Sequence, residues 1–129
     1  IRGVTSEHGL KATHRSLQDR RQLEHDKDFP LSLVFGHSDH RYSDPWYYGV
    51  SNGMGFAQIF RRSDNIRITQ SPSGGGQGNP AWDFQFIVDN YQVGKRYQMV
   101  MRIVYQPIEP RTKFLETVRS HYQALQTLK

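Results

Sequence analysis

Apolar and polar residues alternate along much of this chain, and this period of two restricts the fold more than any other feature. After residue 80 every second residue is apolar, at Trp82, Phe84, Phe86 and Val88, and residues 97–105 repeat the pattern. Successive side chains of a β-strand point to opposite faces, so this spacing predicts strands that turn one face toward a core.

Shorter strands and one helix are predicted around these segments. Strands are predicted at 31–35, 46–50, 54–60 and 66–70, with a turn at 51–53, a hairpin turn at 61–65 and a polar loop at 37–45. Ile66 and Ile68 are predicted to point inward and Arg67 the other way. An amphipathic helix is predicted over 111–129 from Phe114, Val118, Tyr122, Leu125 and Leu128. The sequence therefore predicts a mainly β protein, an antiparallel β-sandwich with a C-terminal α-helix.

The 129 residues are predicted to form one domain with a polar extension. Residues 1–28 are dominated by polar and charged side chains and are interpreted as an N-terminal arm. Residues 29–129 form the sandwich domain and its helix. The chain begins at Ile1 rather than at a methionine, so two interpretations stay open: a natural N-terminus, or the C-terminal part of a larger protein.

Composition excludes several classes of function. The chain has no cysteine, which excludes disulfides, a thiolate nucleophile and thiolate metal sites, and which leaves the compartment undecided. No run of about 18 apolar residues is present, so no membrane-spanning segment is predicted. The formal net charge of +5 is compatible with nucleic acid or acidic polysaccharide, but the arginines are scattered, and nucleic acid is the weaker prediction.

A glycine-rich segment at residues 71–80 predicts a loop that faces a ligand. It closes at Asn79 and Pro80 and leads directly to Trp82, which brings polar groups, bare backbone and an aromatic ring to one point. The segment lacks the lysine of a phosphate-binding loop, and a strand rather than a helix follows it. A nucleotide site is therefore not predicted.

Polar residues on the predicted strands are candidates for a binding surface, namely Arg67, Asp83, Gln85 and Arg102. Their carboxylate, amide and guanidinium groups suit bidentate hydrogen bonds to hydroxyls or to a carboxylate. Asn79 is a further candidate from the loop. A flat apolar face for a sugar ring would come from Trp46, Tyr48 or Trp82. The competing interpretation is a structural Asp–Arg pair between neighbouring strands.

Asp83 and His37 are the candidate acid–base residues, because burial and neighbouring charges tune both side-chain types. His37 and His40 flank Asp39, but their spacing matches no metal-binding motif, so neither a metal nor a cofactor is predicted. The glutamates lie outside the predicted strands, which leaves no clear carboxylate pair for a glycosidase.

Three motifs resemble those of bacterial proteins in the galactose mutarotase-like superfamily, namely Gln70-Ser-Pro-Ser-Gly-Gly-Gly, Asn79-Pro-Ala-Trp-Asp-Phe-Gln-Phe and Pro45-Trp-Tyr-Tyr-Gly49. The resemblance covers about residues 29–110. It implies a carbohydrate-active β-sandwich, a sugar-binding sheet face and a larger parent protein. Aldose mutarotases use a histidine acid and a glutamate base, and no glutamate lies on a predicted strand here, so those catalytic roles are not carried over.

Two functions follow as hypotheses. The first is a carbohydrate-binding or carbohydrate-processing domain, with a saccharide ligand between the 71–80 loop, the 37–45 loop and the polar strand face. The second is a non-catalytic interaction module, whose aromatic strands and helix pack on another domain or on a second copy in a homo-oligomer.

Overall fold

A computed structural model of the protein describes residues 4–5, 12–22, 37–71 and 81–128. The strands in these ranges are β1 (Val4–Thr5), β2 (Ala12–Ser16), β3 (His37–Tyr42), β4 (Trp46–Ser51), β5 (Met54–Phe60), β6 (Arg67–Ser71), β7 (Ala81–Gln85) and β8 (Met101–Pro107). They are followed by one α-helix, α1 (Arg111–Gln126). These elements confirm the predicted fold class, a mainly β protein with a C-terminal helix.

The described strands form two four-stranded sheets. Sheet A has the spatial order β1-β4-β5-β8, and sheet B has the order β3-β2-β6-β7. Neighbouring strands are antiparallel except for β1 beside β4 and β2 beside β3, which run parallel. Each sheet is therefore mainly antiparallel, as predicted, with one parallel strand at an edge.

The two sheets pack face to face through aromatic side chains. The Trp82 ring of sheet B lies 5.2 Å from Tyr47 and 5.6 Å from Phe56 of sheet A, between ring centroids. Phe60 and Phe84 make a similar contact at 5.0 Å. Aromatic pairs at this separation add to the free energy gained by burying their area, so these rings join the sheets into a sandwich.

The helix covers the other face of sheet A and adds a third layer. Its buried residues are Phe114, Val118, Tyr122 and Leu125, which confirms most of the predicted apolar spacing. Leu128 lies beyond the end of the helix and is 44% exposed. In the described ranges, no helix combines the length and the apolar character needed to cross a membrane.

The predicted turn at 51–53 forms a tight hairpin between β4 and β5. Ser51 pairs with Met54, which leaves Asn52 and Gly53 as the two turn residues. Both have positive φ, at 49° and 73°. Asn-Gly is the preferred sequence for a turn that needs two left-handed residues, so local chemistry sets the register of this hairpin.

The predicted hairpin at 61–65 is wrong, because the chain changes sheets there. β5 belongs to sheet A and β6 to sheet B. The connection is a short 3-10 turn in which the buried Asp64 accepts hydrogen bonds from the Arg61 side chain at 2.7 Å and from the Val100 backbone at 2.8 Å. Asn65 does adopt the left-handed conformation, with φ of 45°. The turn residues are as predicted, but the chain leaves sheet A here, and a long-range hydrogen bond from Val100 to Asp64 holds the turn.

Two polar segments form strands that the sequence pattern did not predict. Residues 12–16 lie within the predicted arm but form β2 in the interior of sheet B, and residues 37–42 form β3 rather than a loop. The strand predicted at 97–105 begins only at Met101 and continues to Pro107. The predicted strand at 31–35, most of the arm and residues 72–80 of the glycine-rich loop lie outside the described residues.

The close approach of Gly49 to Trp82 gives a test of sheet packing. A Cβ atom added at Gly49 would overlap the Trp82 ring. We expect Gly49→Ala to lower the free energy of unfolding by about 1–3 kcal/mol, as overpacking does in a filled core. Urea unfolding measures this difference. Val50→Ala at the neighbouring, 53% exposed position is the control, and equal stability of the two variants would contradict the packing.

Candidate functional site

The outer face of sheet B carries a row of polar side chains, three of them arginines, that crosses all four strands. We call it the arginine row, and it consists of Arg41, Arg15, Arg67 and Gln85. Arg41 pairs with Arg15, and Arg67 pairs with Gln85. The Arg41–Arg15 pair lies next to the Arg67–Gln85 pair because β2 and β6 are antiparallel neighbours. Thr13 of β2 is opposite Thr69 of β6, so two residues further along β2 Arg15 is opposite Arg67.

A second row of polar residues lies beside the first. We call it the threonine row, and it consists of His37, Thr13, Thr69 and Asp83. The two threonine hydroxyls at its centre are fully buried and hydrogen-bond to each other at 3.1 Å. The half-buried groups are therefore at the ends of the row, an imidazole at one edge of the sheet and a carboxylate at the other.

A buried carboxylate anchors one arginine of the row. Arg67 Nε donates to Asp19 Oδ2 at 2.9 Å, and Arg21 Nε donates to Asp19 Oδ1 at 3.0 Å. Arg67 is fully buried and Asp19 is 1% exposed. Burial by itself raises the pKa of Asp19, but the hydrogen bonds from Arg21 and Arg67 outweigh it and hold that pKa below its ordinary value. Asp19 is therefore ionised and shared by two cations.

The other two arginines of the row have weaker compensation. Arg41 Nη1 donates to the backbone carbonyls of Ser16 at 3.0 Å and Asp19 at 2.8 Å. The Nε of Arg15 is buried, and no acceptor for it lies within the described part of the chain. Burial lowers the pKa of Arg15, and the charges of Arg41 and Arg67 lower it further. The centre of the row thus holds excess positive charge.

Four of the predicted site residues are brought together on this face. Arg67, Gln85, Asp83 and His37 all belong to the two rows, and Arg67 Nη1 lies 3.4 Å from His37 Nε2. Arg67 does point away from Ile66 and Ile68, as predicted, but toward the buried Asp19 rather than toward solvent.

The two candidate acid–base residues have backbone positions that are far apart. His37 lies on β3 and Asp83 on β7, at opposite edges of sheet B. Three strand spacings separate their backbones by ~14 Å. Catalytic carboxylate pairs of glycosidases lie within about 10 Å of each other. The backbones of His37 and Asp83 are therefore farther apart than the two carboxyl groups of a glycosidase pair, and the backbone positions do not indicate an acid–base pair.

The remaining predicted site residues do not lie on the outer face of sheet B. The single binding surface predicted from the sequence is therefore divided between the two sheets. Arg102 donates to His121 Nδ1 of α1 at 3.1 Å, on the helix side of sheet A. Trp46 and Tyr48 belong to the core beneath the same helix. Trp82 lies on the inner face of sheet B, against Gly49. Asn79 lies outside the described residues.

The most strongly charged part of the site has no signature in the sequence. Arg15, Asp19 and Arg21 lie in the segment predicted to be a polar N-terminal arm, and Arg41 lies in a predicted loop. The pairing of strands distant in sequence brings these side chains together. Only the frequency of arginine in residues 15–21 hints at this charge.

A small cleft opens at the end of β2. Its volume is about 130 Å³, room for about four water molecules. The residues that line it are Ser16, Gln18, Tyr42, Ser43, Pro45, Arg62 and Asn65. Ser43 and Pro45 come from the 37–45 segment that was expected to border the site. At this volume the cleft holds a small group more easily than a whole sugar ring.

Within the described ranges, no three histidine, aspartate or glutamate side chains lie close enough together to hold a metal ion. Comparisons of this chain with protein-family models, with curated proteins and with solved structures give no match.

Proposed function

We propose that this chain is a carbohydrate-binding β-sandwich domain whose saccharide ligand carries an anionic group, a carboxylate or a sulfate. The anionic group binds at the arginine row, next to Arg15 and Arg41. One observation carries the proposal: three guanidinium groups lie side by side across neighbouring strands, and the Nε of the central one, Arg15, has no acceptor among the described residues.

Electrostatics explains why such a row favours an anion. Like charges directly opposite on neighbouring strands destabilise a sheet. Asp19 compensates Arg67, but it is shared with Arg21. A carboxylate or sulfate beside Arg15 accepts two parallel hydrogen bonds from a guanidinium and relieves the repulsion from Arg41 and Arg67. Ligand binding therefore gains free energy that the unliganded fold lacks.

The surroundings of the row favour a sugar over a bare inorganic anion. Half-buried imidazole, carboxylate and amide groups lie on the same sheet face, at His37, Asp83 and Gln85. Such a mixture of donors and acceptors suits sugar hydroxyls around one charged substituent. The resemblance to galactose mutarotase-like proteins supports the same ligand class. We propose binding rather than processing, because the two candidate acid–base residues, His37 and Asp83, start from opposite edges of sheet B.

The variant Arg15→Gln tests this proposal. We expect it to weaken binding of a short oligogalacturonate by about 10–100-fold, because one charge-assisted hydrogen bond contributes about 1.5–3 kcal/mol. We also expect its melting temperature without ligand to equal or exceed that of the wild type, because the substitution removes a partly buried charge next to two like charges. Isothermal titration calorimetry and thermal unfolding measure the two effects.

Matched controls separate this site from general electrostatics. Arg102→Gln removes the same charge from sheet A and is expected to leave the affinity unchanged. A neutral galactan fragment reports the contribution of the sugar ring, and inorganic sulfate or phosphate reports that of the anion. If oligogalacturonate binds Arg15→Gln as well as the wild type, or if Arg15→Gln unfolds at a much lower temperature, the arginine row is structural and the proposal fails.

The second candidate function is an interaction module. Three residues expected to bind a ligand, Trp46, Tyr48 and Arg102, instead contact the chain's own helix. This structural role favours the interaction module. Because α1 is docked on sheet A, the helix is not the free surface that the sequence suggested. Among the described residues, a surface open to a partner lies along the unpaired edge of β8.

A further inference from the structure

The outer edge of β8 leaves part of sheet A uncovered. β8 pairs along its whole length with β5, from Met54 opposite Pro107 to Phe60 opposite Met101. In the described part of the molecule no strand pairs with its other edge. Ile103 is 58% exposed and Tyr105 is 67% exposed, although both point to the face on which the two sheets pack. The core between the sheets reaches Met101 at the start of β8 but leaves Ile103 and Tyr105 exposed.

Edge strands of soluble proteins usually carry features that prevent pairing with another chain, and β8 has few of them. Lysine, proline and bulges are the common devices. Between Met101 and Gln106 there is no lysine and no proline, and Pro107 stands only at the end. The single charge, Arg102, is held by His121 on the helix side. The edge is thus long, regular and apolar on its exposed face.

We propose that β8 pairs with β8 of a second copy of this chain, antiparallel and with Val104 on the twofold axis. This register places Ile103 opposite the partner's Tyr105 twice, an aromatic and β-branched pair of the kind that stabilises antiparallel strands. It also places Arg102 opposite the partner's Gln106, so no like charges meet. The strand is therefore complementary to itself, as an isologous interface requires.

The position of the helix is compatible with this dimer. α1 packs on β5 and β8 alike, and strands lie ~4.8 Å apart. The helix axis is then about 5 Å from the twofold axis, and the two helices are about 10 Å apart, close to the usual distance between packed helices of 8–10 Å. The dimer forms one continuous eight-stranded sheet with adjacent helices, and the arginine rows remain on separate sheets.

Light scattering after size exclusion, over a wide range of protein concentration, tests the dimer. We expect the wild type to change from monomer to dimer as the concentration rises. Tyr105→Lys should raise the dimer Kd by at least ~100-fold, because a symmetric interface contains the substitution twice. Tyr91→Lys is the matched control, since Tyr91 is 68% exposed and lies outside β8. A wild type that stays monomeric, or a Tyr105→Lys variant that still dimerises, overturns the proposal.

Cysteine cross-linking tests the register, because the chain has no native cysteine. The double variant with Ile103→Cys and Tyr105→Cys is expected to form a disulfide-linked dimer on mild oxidation. Either single variant places its thiol opposite an apolar side chain and is expected to remain largely uncross-linked. Efficient cross-linking through Ile103→Cys alone would show a twofold axis at residue 103 and would overturn the register centred on Val104.

Discussion

Replacing Asp19 with asparagine is expected to lower the free energy of unfolding by about 3–5 kcal/mol, the usual effect of removing one member of a buried ion pair. Asp19 is the carboxylate shared by Arg67 and Arg21, and Arg67 is fully buried. Asparagine keeps an oxygen acceptor but loses the negative charge. The variant therefore leaves a buried guanidinium without a counter-charge, beside Arg15 in the same row.

Chemical denaturation of Asp19→Asn measures this loss. Asp39→Asn is the matched control, because Asp39 is exposed and the same change of charge there should alter stability by less than about 0.5 kcal/mol. A second variant combines Asp19→Asn with Arg67→Gln. It removes both members of the pair and should recover part of the stability. A loss below about 1 kcal/mol for Asp19→Asn would mean that the arginine row needs no internal carboxylate.

The same residue predicts how stability depends on pH. The folded pKa of Asp19 lies below the value of about 3.9 for an unperturbed aspartate. A group with a depressed folded pKa contributes its full stability above the unfolded pKa and loses it as the pH falls through the folded pKa. The wild type should therefore lose stability below about pH 4, and Asp19→Asn should show a smaller slope there. Parallel slopes for the two proteins would contradict this assignment.

Truncating Phe114 to alanine is expected to cost about 3–5 kcal/mol, the range for a fully buried phenylalanine. Phe114 is completely buried, and its ring lies 5.4 Å from that of Tyr48. It also fills the space above Gly55, where an added Cβ would come within 2.5 Å of the Phe114 ring. The helix is held on sheet A by this contact, so its loss should weaken the whole layer.

Urea unfolding and amide hydrogen exchange measure the effect of Phe114→Ala. We expect faster exchange in the helix together with the lower global stability. Leu128→Ala is the control, because Leu128 lies beyond the helix and is 44% exposed. If Phe114→Ala were no less stable than Leu128→Ala, the helix would contribute little to the folded domain.

The local sequence pattern was enough to predict much of sheet A and the helix. The Asn52-Gly53 turn, the strands it joins and the apolar spacing of α1 all follow from short-range chemistry. In each case one side of the element borders an apolar core and the pattern shows it. The same logic fails for β2 and β3, where the outward side chains of Thr13, Arg15, His37 and Arg41 are polar but buried or half-buried. A buried polar face has no hydrophobic period.

The candidate site could be predicted only in part, for the same reason. Arg67, Asp83 and Gln85 share one face because neighbouring strands keep their alternation in register, which the sequence of 66–86 indicates. Arg102 has the same polar character, but it lies on another sheet, under the helix. Strand alternation specifies which side chains of one strand share a face. It does not specify which sheet receives the strand.

The sequence by itself determined the β-rich fold class, the tight hairpin and the helix, because each depends on residues within a few positions of one another. Tertiary structure alone decided the change of sheet after β5, the row of three arginines and the position of Asp19 beneath it. These features depend on contacts between residues tens of positions apart, such as Arg67 with Asp19 and Val100 with Asp64. Charge repulsion and its compensation arise only when distant strands meet, so no local pattern records them.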